Sequence, residues 1–176
     1  MKRAVFLDRD GVINRAYLKN GVPVPPKNLS EVIILPKVKE SLEELHLAKY
    51  ILIIVTNQPD VARGKTQISE VNKINDFLYK NLPIDAIKTC YHDNSDLCSC
   101  RKPLPGLLIN AAAEYNISME KSYMIGDRWR DIEAGKAVQC KTFFIDYSYL
   151  EKKPSSPDYV VNSLYDAKNI ILGELK

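Results

Sequence analysis

Long apolar runs are missing from this sequence. None approaches the ~18 residues of a membrane-spanning helix, and Lys2-Arg3 precede only four apolar residues before Asp8, unlike a secretory signal. Charge of one sign is also scarce. The net charge is +3, and the 25 Lys and Arg are scattered rather than gathered into a stripe, so no nucleic-acid partner is expected. A few of those cations suffice for one small anionic ligand. Of only two histidines, His46 lies off the apolar stripe of its helix and reads as a solvated surface residue. Internal repeats and low-complexity segments are absent, which excludes a solenoid. The expectation is a cytoplasmic monomer, with no membrane association and no interface signal.

What is present is ordinary globular material, 45% apolar and 27% charged over 176 residues. That is enough for one domain, 1–176, with a real core. The chain is organised around Phe6-Leu7-Asp8-Arg9-Asp10-Gly11-Val12-Ile13-Asn14. Ala4 to Leu7 reads as a short buried strand that stops at two carboxylates and a glycine. Residues 15–36 contain Pro23, Pro25, Pro26 and Pro36, which exclude a long helix and suggest an irregular loop walling a site. An apolar stripe then predicts a helix over residues 37–49, and Ile51 to Val55 a central strand ending in Thr56-Asn57-Gln58. A helix capped by Ser69, a strand from Ala86 to Tyr91 and a helix ending near Asn116 follow. Tyr123 to Ile125 is a further strand, leading to a helix over about 132–138. Thr142 to Ile145, an edge strand at Tyr159 to Val161 and a helix after Ser163 complete the pattern. Strands alternating with helices imply an α/β fold, a Rossmann-like doubly wound parallel sheet. In such sheets ligands bind beyond the carboxyl ends of the strands, and every polar cluster below falls at one of those ends.

Asp8 and Asp10, two apart on an extended chain, leave on one side. Such a pair suits a divalent cation, or a nucleophile beside a proton carrier. If Asp8 attacks a phosphoryl group, Thr56 can donate to its oxygens, the Asn57 amide can hold substrate, and Lys102 supplies positive charge. Asp127 would then join Asp8 and the Asp10 backbone carbonyl around Mg²⁺. Asp10 would protonate the leaving alkoxide and later deprotonate water. Each residue has a plainer reading: a turn at Thr56-Asn57, a solvated pair at Arg101-Lys102, a helix cap at Asp131. Their order, each at a strand end, is what those readings leave unexplained. Cys90, His92, Cys98 and Cys100 form a Cys₃His set in a short polar loop, suited to a closed tetrahedral structural Zn²⁺ site. Cys140 stands apart and reads as a small core residue.

Asp-Arg-Asp-Gly-Val-Ile-Asn, Thr-Asn-Gln, Cys-Arg-Lys-Pro and Gly-Asp-Arg-X-X-Asp, in that order, resemble the haloacid dehalogenase (HAD) superfamily of phosphatases. The likeness covers residues 4 to about 145 and is nearest to its histidinol-phosphatase and heptose-bisphosphate phosphatase branch. It implies an HAD-like fold with loops instead of a large cap, and zinc at the Cys/His loop. It also implies Asp8 as nucleophile, Asp10 as acid/base, Thr56 and Lys102 as phosphoryl stabilisers, and Asp127 as Mg²⁺ ligand supported by Asp131. The short His92–Cys98 spacing is similar to histidinol-phosphatases. Ala62-Arg63-Gly64-Lys65 and Pro105-Gly106-Leu107-Leu108 are similar to heptose-bisphosphate phosphatases. Arg63, Arg101 and Arg128 would hold a second phosphate of a small phosphorylated sugar better than they would a cationic amino alcohol. The expected activity is therefore removal of the 7-phosphate of a heptose 1,7-bisphosphate for surface glycans, with histidinol phosphate as the alternative. Pro59-Asp60 departs from the branch, where a small residue and glycine are usual. Trp129 either walls the pocket or packs, and the segment Ala16 to Lys19 is expected to face substrate. A receiver-like signalling domain would place its phosphorylated Asp where Cys90-Tyr91-His92 stands. An inactive phosphosugar-binding scaffold has no need of the full acidic and basic set.

Overall fold

A computed structural model describes residues 1–175. In chain order the elements are β1 (Ala4–Leu7), β2 (Tyr17–Lys19), β3 (Val22–Val24), α1 (Val38–Leu47), β4 (Ile51–Asn57), α2 (Ile68–Asn81) and β5 (Ala86–Cys90). They continue with α3 (Gly106–Tyr115), β6 (Tyr123–Gly126), α4 (Trp129–Ala137), β7 (Lys141–Ile145), β8 (Tyr159–Val161) and α5 (Leu164–Gly173).

Six strands form one sheet in the order β5-β4-β1-β6-β7-β8, and every neighbouring pair is parallel. The central strand is β1, with Leu7 beside Ile54 on one side and Ile125 on the other. Side chains alternate across a strand. Val5 and Leu7 therefore enter one core layer with α1, α2 and α5, which contribute Leu42, Leu45, Leu78 and Ile171. Ala4 and Phe6 enter the other with α3 and α4, which contribute Leu108, Ala111 and Ala134. A sheet covered on both faces needs the uninterrupted apolar runs that the sequence supplies in β1 and β4. All the carboxyl ends then open on one side.

The segment read as an irregular loop differs from expectation. Residues 17–24 form an antiparallel hairpin, with Tyr17 opposite Val24 and Lys19 opposite Val22. Its tip is Asn20-Gly21, with φ of 53° and 76°. Two successive positive φ values define the tight turn that Asn-Gly favours, so that dipeptide was the available signal. Pro23 is tolerated because β3 belongs to a two-stranded ribbon whose edges are open. Two helix starts also differ. Gln67 rather than Ser69 precedes α2, and α4 begins at Trp129, three residues before the expected start. Asp131 therefore lies inside the first turn and reaches back, its Oδ2 accepting from the Arg128 N–H at 3.0 Å, an acidic side chain satisfying a free amide at the helix start. His46 is exposed. Cys140 is buried, and burial pushes its thiol up to about 12.

Gly135 lets α4 lie close on the sheet. A Cβ there would stand 2.6 Å from Met124 Cβ and 2.9 Å from Thr142 Cγ2. Gly135→Ala is expected to lower unfolding stability by about 1–3 kcal/mol in urea titration. Gly173→Ala meets nothing within 4 Å and is expected to leave stability unchanged or raise it by up to ~1 kcal/mol. Equal effects of the two substitutions would refute the packing argument.

Candidate active site

The side chains singled out by sequence gather at the carboxyl ends of the central strands. Asp8 follows β1 directly, Thr56 and Asn57 end β4, and Asp127 follows β6. Lys102 comes in from the loop beyond β5. All but Asn57 are buried, Lys102 at 1% exposure.

The Lys102 ammonium has three proton donors and three partners. Its Nζ lies 2.6 Å from Asp8 Oδ1 and 2.6 Å from the Val55 carbonyl, and 2.6 Å from Asp131 Oδ1. Burial alone would push the Lys102 ammonium down, but the Asp131 and Asp8 carboxylates outweigh it and hold the charge more firmly than usual. Burial raises the Asp8 carboxyl, Lys102 pulls it back, and Asp131 and Asp10 push it up again, to about 6. Among the described residues no hydrogen bond reaches Asp8 Oδ2, so one carboxylate oxygen is pinned and the other is open.

Asp10 faces elsewhere. Its Oδ1 accepts from Asn14 Nδ2 at 2.9 Å, and its Oδ2 from Gln58 Nε2 at 2.8 Å and Arg9 Nη2 at 3.0 Å. Arg9 is fully buried and is itself steered by Asn75 Oδ1 at 2.9 Å. Gln58 Nε2 also donates to Thr56 Oγ1 at 3.0 Å, which leaves the threonine hydroxyl proton free to point outward. Arg9, Gln58, Asn75 and the Asn14 side chain were not assigned roles from sequence. A buried arginine next to a carboxylate pair and a glutamine after Thr-Asn leave no periodic signature. Asn57 is placed at the cavity, yet its amide is engaged with the Lys102 backbone in both directions, donating to the carbonyl at 2.9 Å and accepting from the N–H at 3.1 Å. In this position it fixes Lys102.

Asp8, Asp127 and Asp131 bring carboxylate oxygens within 4.8 Å of one another. Burial, then the charges of Asp8 and Asp131, raise the Asp127 carboxyl well above its usual range. Its Oδ2 accepts from the Tyr149 hydroxyl at 2.8 Å, while its buried Oδ1 has no partner. An unpaired buried carboxylate oxygen beside two more carboxylates, with one ammonium among them, fits a hard divalent cation. Gly11 makes the approach possible. Its φ is 97°, and a Cβ there would stand 1.9 Å from Asp127 Oδ2. The Asp10 carboxylate is not in this group; Asp131 is, but both its oxygens are engaged, by Lys102 and the Arg128 N–H.

Cys90, His92, Cys98 and Cys100 also converge, with ligand atoms within 4.8 Å and all three thiols free. The Sγ atoms lie 3.1 to 3.8 Å apart, and His92 Nδ1 lies 3.3 Å from Cys100 Sγ. Tetrahedral zinc–sulfur bonds of ~2.3 Å imply sulfur separations of about 3.8 Å, so the donor set fits zinc with little movement. This knot is followed at once by Arg101 and Lys102.

A cavity of about 310 Å³ opens over Asp8 and Asp10. Of the segment Ala16 to Lys19 only Ala16 lines it; Val22, Pro23, Val24 and Pro25 supply the rest of that wall. Arg63, Arg101 and Arg128 all line it, as does Arg130, which sequence reasoning passed over. Trp129 does not. Arg63 is bonded twice to Asp93, at 2.6 and 2.7 Å, and Arg128 to Glu151 at 2.5 to 3.2 Å.

A parallel α/β sheet with an open aspartate oxygen, a buried lysine and an acidic cluster at its strand ends is the arrangement of an aspartate-based phosphohydrolase. Comparisons with known proteins agree. A family model described as "HAD-hyrolase-like" matches residues 99–167. The D-glycero-beta-D-manno-heptose-1,7-bisphosphate 7-phosphatase of Escherichia coli strain K12 is 30% identical, over 98% of this chain and 95% of its own. The protein of that name from Helicobacter pylori strain J99 is 32% identical, over 79% and 80%. The crystal structure of D,D-heptose 1,7-bisphosphate phosphatase from B. bronchiseptica, complexed with magnesium and phosphate, superimposes with a TM-score of 0.84 at 28% identity, covering 98% of this chain and 99% of that one. The chain belongs to the HAD-like hydrolases, in the family of these heptose-bisphosphate phosphatases, and is an enzyme of phosphate-ester hydrolysis.

Tyr149 fixes which Asp127 oxygen remains available. Tyr149→Phe is expected to weaken Mg²⁺ or Mn²⁺ binding about 10-fold, a usual cost of losing a bond to a ligand's second atom. Calorimetric titration of metal-free protein measures it, and unaltered affinity would show that Tyr149 does not orient Asp127.

Proposed function

We propose that this protein is a Mg²⁺-dependent phosphatase that removes the 7-phosphate of D-glycero-D-manno-heptose 1,7-bisphosphate through a phosphoaspartate on Asp8. The observation that carries the reading is the Asp8 carboxylate, which lines the cavity with Oδ1 held by Lys102 and Oδ2 left without a hydrogen bond among the described residues. The substrate is taken from the relatives named above.

Asp8 Oδ2 attacks phosphorus as the ester P–O bond breaks, and Asp10 gives its proton to the departing sugar alkoxide. Arg9, Asn14 and Gln58 fix the direction of the Asp10 carboxyl group. Asp10 then takes a proton from water, which attacks the phosphorus of the phosphoaspartate. Phosphate leaves and the Asp8 carboxylate is restored. Lys102 and the free Thr56 proton stabilise the equatorial oxygens during both transfers. Asp8, Asp127 and the backbone carbonyl of Asp10 would hold Mg²⁺, which supplies positive charge against the phosphoryl group. Asp131 keeps Lys102 charged and placed.

The Cys90, His92, Cys98 and Cys100 set would hold a structural Zn²⁺ with no open position, fixing the loop that delivers Arg101 and Lys102. Three free thiols in such a site suit a reducing, cytoplasmic setting. One domain, 1–176, acting as a monomer is the simplest assembly for this chemistry.

The direct test is phosphate release with Mg²⁺, offering heptose 1,7-bisphosphate and histidinol phosphate side by side. A heptose preference of about 100-fold or more in kcat/KM, ~2.7 kcal/mol of discrimination, is expected. The reverse preference would assign the amino alcohol ester instead. Asp8→Asn is expected to lower kcat at least ~1000-fold without changing the circular dichroism spectrum; turnover at the wild-type rate would remove Asp8 as nucleophile. Elemental analysis of freshly purified protein is expected to give one zinc per chain. Strong chelation should raise KM, through the Arg101–Lys102 loop, before it alters metal binding at Asp127; protein free of zinc would refute the site.

A further inference from the structure

Five cationic side chains line the cavity over Asp8: Arg63, Arg101, Lys102, Arg128 and Arg130. Four are engaged by the protein itself. Lys102 is held by Asp8, Asp131 and Val55. Arg63 is bonded to both oxygens of Asp93, and Arg128 to both of Glu151. Arg101 donates to Asn94 Oδ1 at 2.9 Å and to the His92 carbonyl at 3.3 Å, with Asp93 3.9 Å away. Arg130 is the exception. Among the described residues its guanidinium makes no hydrogen bond and no ion pair.

Its direction is nevertheless fixed. The Arg130 guanidinium lies over the Trp129 ring, 4.4 Å from the centroid, and Lys152 Nζ lies 4.2 Å from the same centroid. An aromatic face attracts a cation but satisfies none of its N–H donors, so Arg130 keeps its planar fork free. Successive side chains of a helix leave about 100° apart. On the first turn of α4, Asp131 therefore turns inward to Lys102 while Arg130 reaches the cavity wall. Asp8 and Arg130 line the same cavity. A guanidinium fork matches a phosphate bidentately.

We propose that Arg130 binds the non-reacting phosphate of the sugar bisphosphate and so sets the preference for bisphosphates over monophosphate esters. The inference rests on the functional reading above and adds a residue to it, while Arg63 and Arg128 become buttresses of the wall through Asp93 and Glu151. The same unpaired charge disfavours a cationic substrate, because like charges brought together at a desolvated wall repel. Arg130 thus acts in two directions, attracting the second phosphate and rejecting an amino alcohol.

The test compares kcat/KM for heptose 1,7-bisphosphate with that for heptose 7-phosphate, in wild type, Arg130→Ala and Arg130→Lys. Arg130→Ala is expected to lower the ratio of the two by about 10- to 100-fold, the range for a charge-assisted, bidentate contact, with the change mainly in KM. Arg130→Lys should restore part of it, since the charge returns without the fork. A merely structural role would lower both substrates together and leave the ratio where it was, which overturns the inference. A wild-type preference for the bisphosphate that survives Arg130→Ala overturns the inference alone. A wild type that does not distinguish the two heptose esters overturns the bisphosphate reading and the inference with it. Titration of bisphosphate into Asp8→Asn and Asp8→Asn/Arg130→Ala repeats the comparison as Kd, free of turnover; equal Kd values count against Arg130.

Discussion

The Lys102 ammonium is buried and directs its three protons to Asp8, Asp131 and the Val55 carbonyl. Removing one partner from a buried ion pair strands a charge, at a cost of about 3–5 kcal/mol. The partners come from three places in the chain: the end of β1, the end of β4 and the first turn of α4. Lys102 arrives from a fourth, the loop after β5. These elements can meet only if the strands are parallel and end in register, as Leu7 beside both Ile54 and Ile125 sets them. The site is thus also a tie across the mouth of the sheet, and its geometry is maintained by interactions that stabilise the fold.

Lys102 itself sits on irregular backbone, which would be a poor support without help. Two devices fix it. The Asn57 amide clamps its backbone N–H and carbonyl to the end of β4, and the Cys90–Cys100 knot ends two residues before it. On the far side Gly106 N–H bonds to the Ser99 carbonyl at 3.1 Å, where a Cβ would stand 2.4 Å from that oxygen. Between β5 and α3 the loop is therefore anchored at both ends, and a lysine with four rotatable bonds is held to one position.

The parts of the fold legible in the sequence were those with a period. The runs in β1 and β4 and the stripe of α1 announced buried strands and an amphipathic helix, and a parallel, doubly wound sheet followed from alternation. Asp8, Thr56, Lys102 and Asp127 were legible because each stands where an apolar run or a proline turn breaks. The hairpin at 17–24 was hidden by Pro23 and the prolines that follow it, although Asn20-Gly21 carried the turn signal. The tie between the Asn57 amide and the Lys102 backbone, 45 residues away, leaves no trace in local pattern. The same limit concealed the ion pairs of Arg63 and Arg128, whose partners Asp93 and Glu151 are 30 and 23 residues distant. Counting arginines revealed that positive charge was in surplus but not which of them was free.

Charge in the cavity is layered. Asp8 and Asp131 line its floor with Lys102 between them, and the Asp127 carboxylate lies within 4.8 Å of both, so the floor on its own repels a phosphate ester and requires a divalent cation to receive one. The rim is the reverse, with Arg63 and Arg128 paired to Asp93 and Glu151, Arg101 held mainly by neutral acceptors, and Arg130 without a partner among the described residues. A ligand with a single anionic group satisfies the floor and leaves the rim unmet. One with two anionic groups satisfies both, and a cationic group at the second position meets the wrong sign. Selectivity for a doubly phosphorylated substrate therefore needs no large cap to read the sugar. The sign of the field at two separated points suffices, which fits a wall built from nothing larger than the hairpin of β2 and β3.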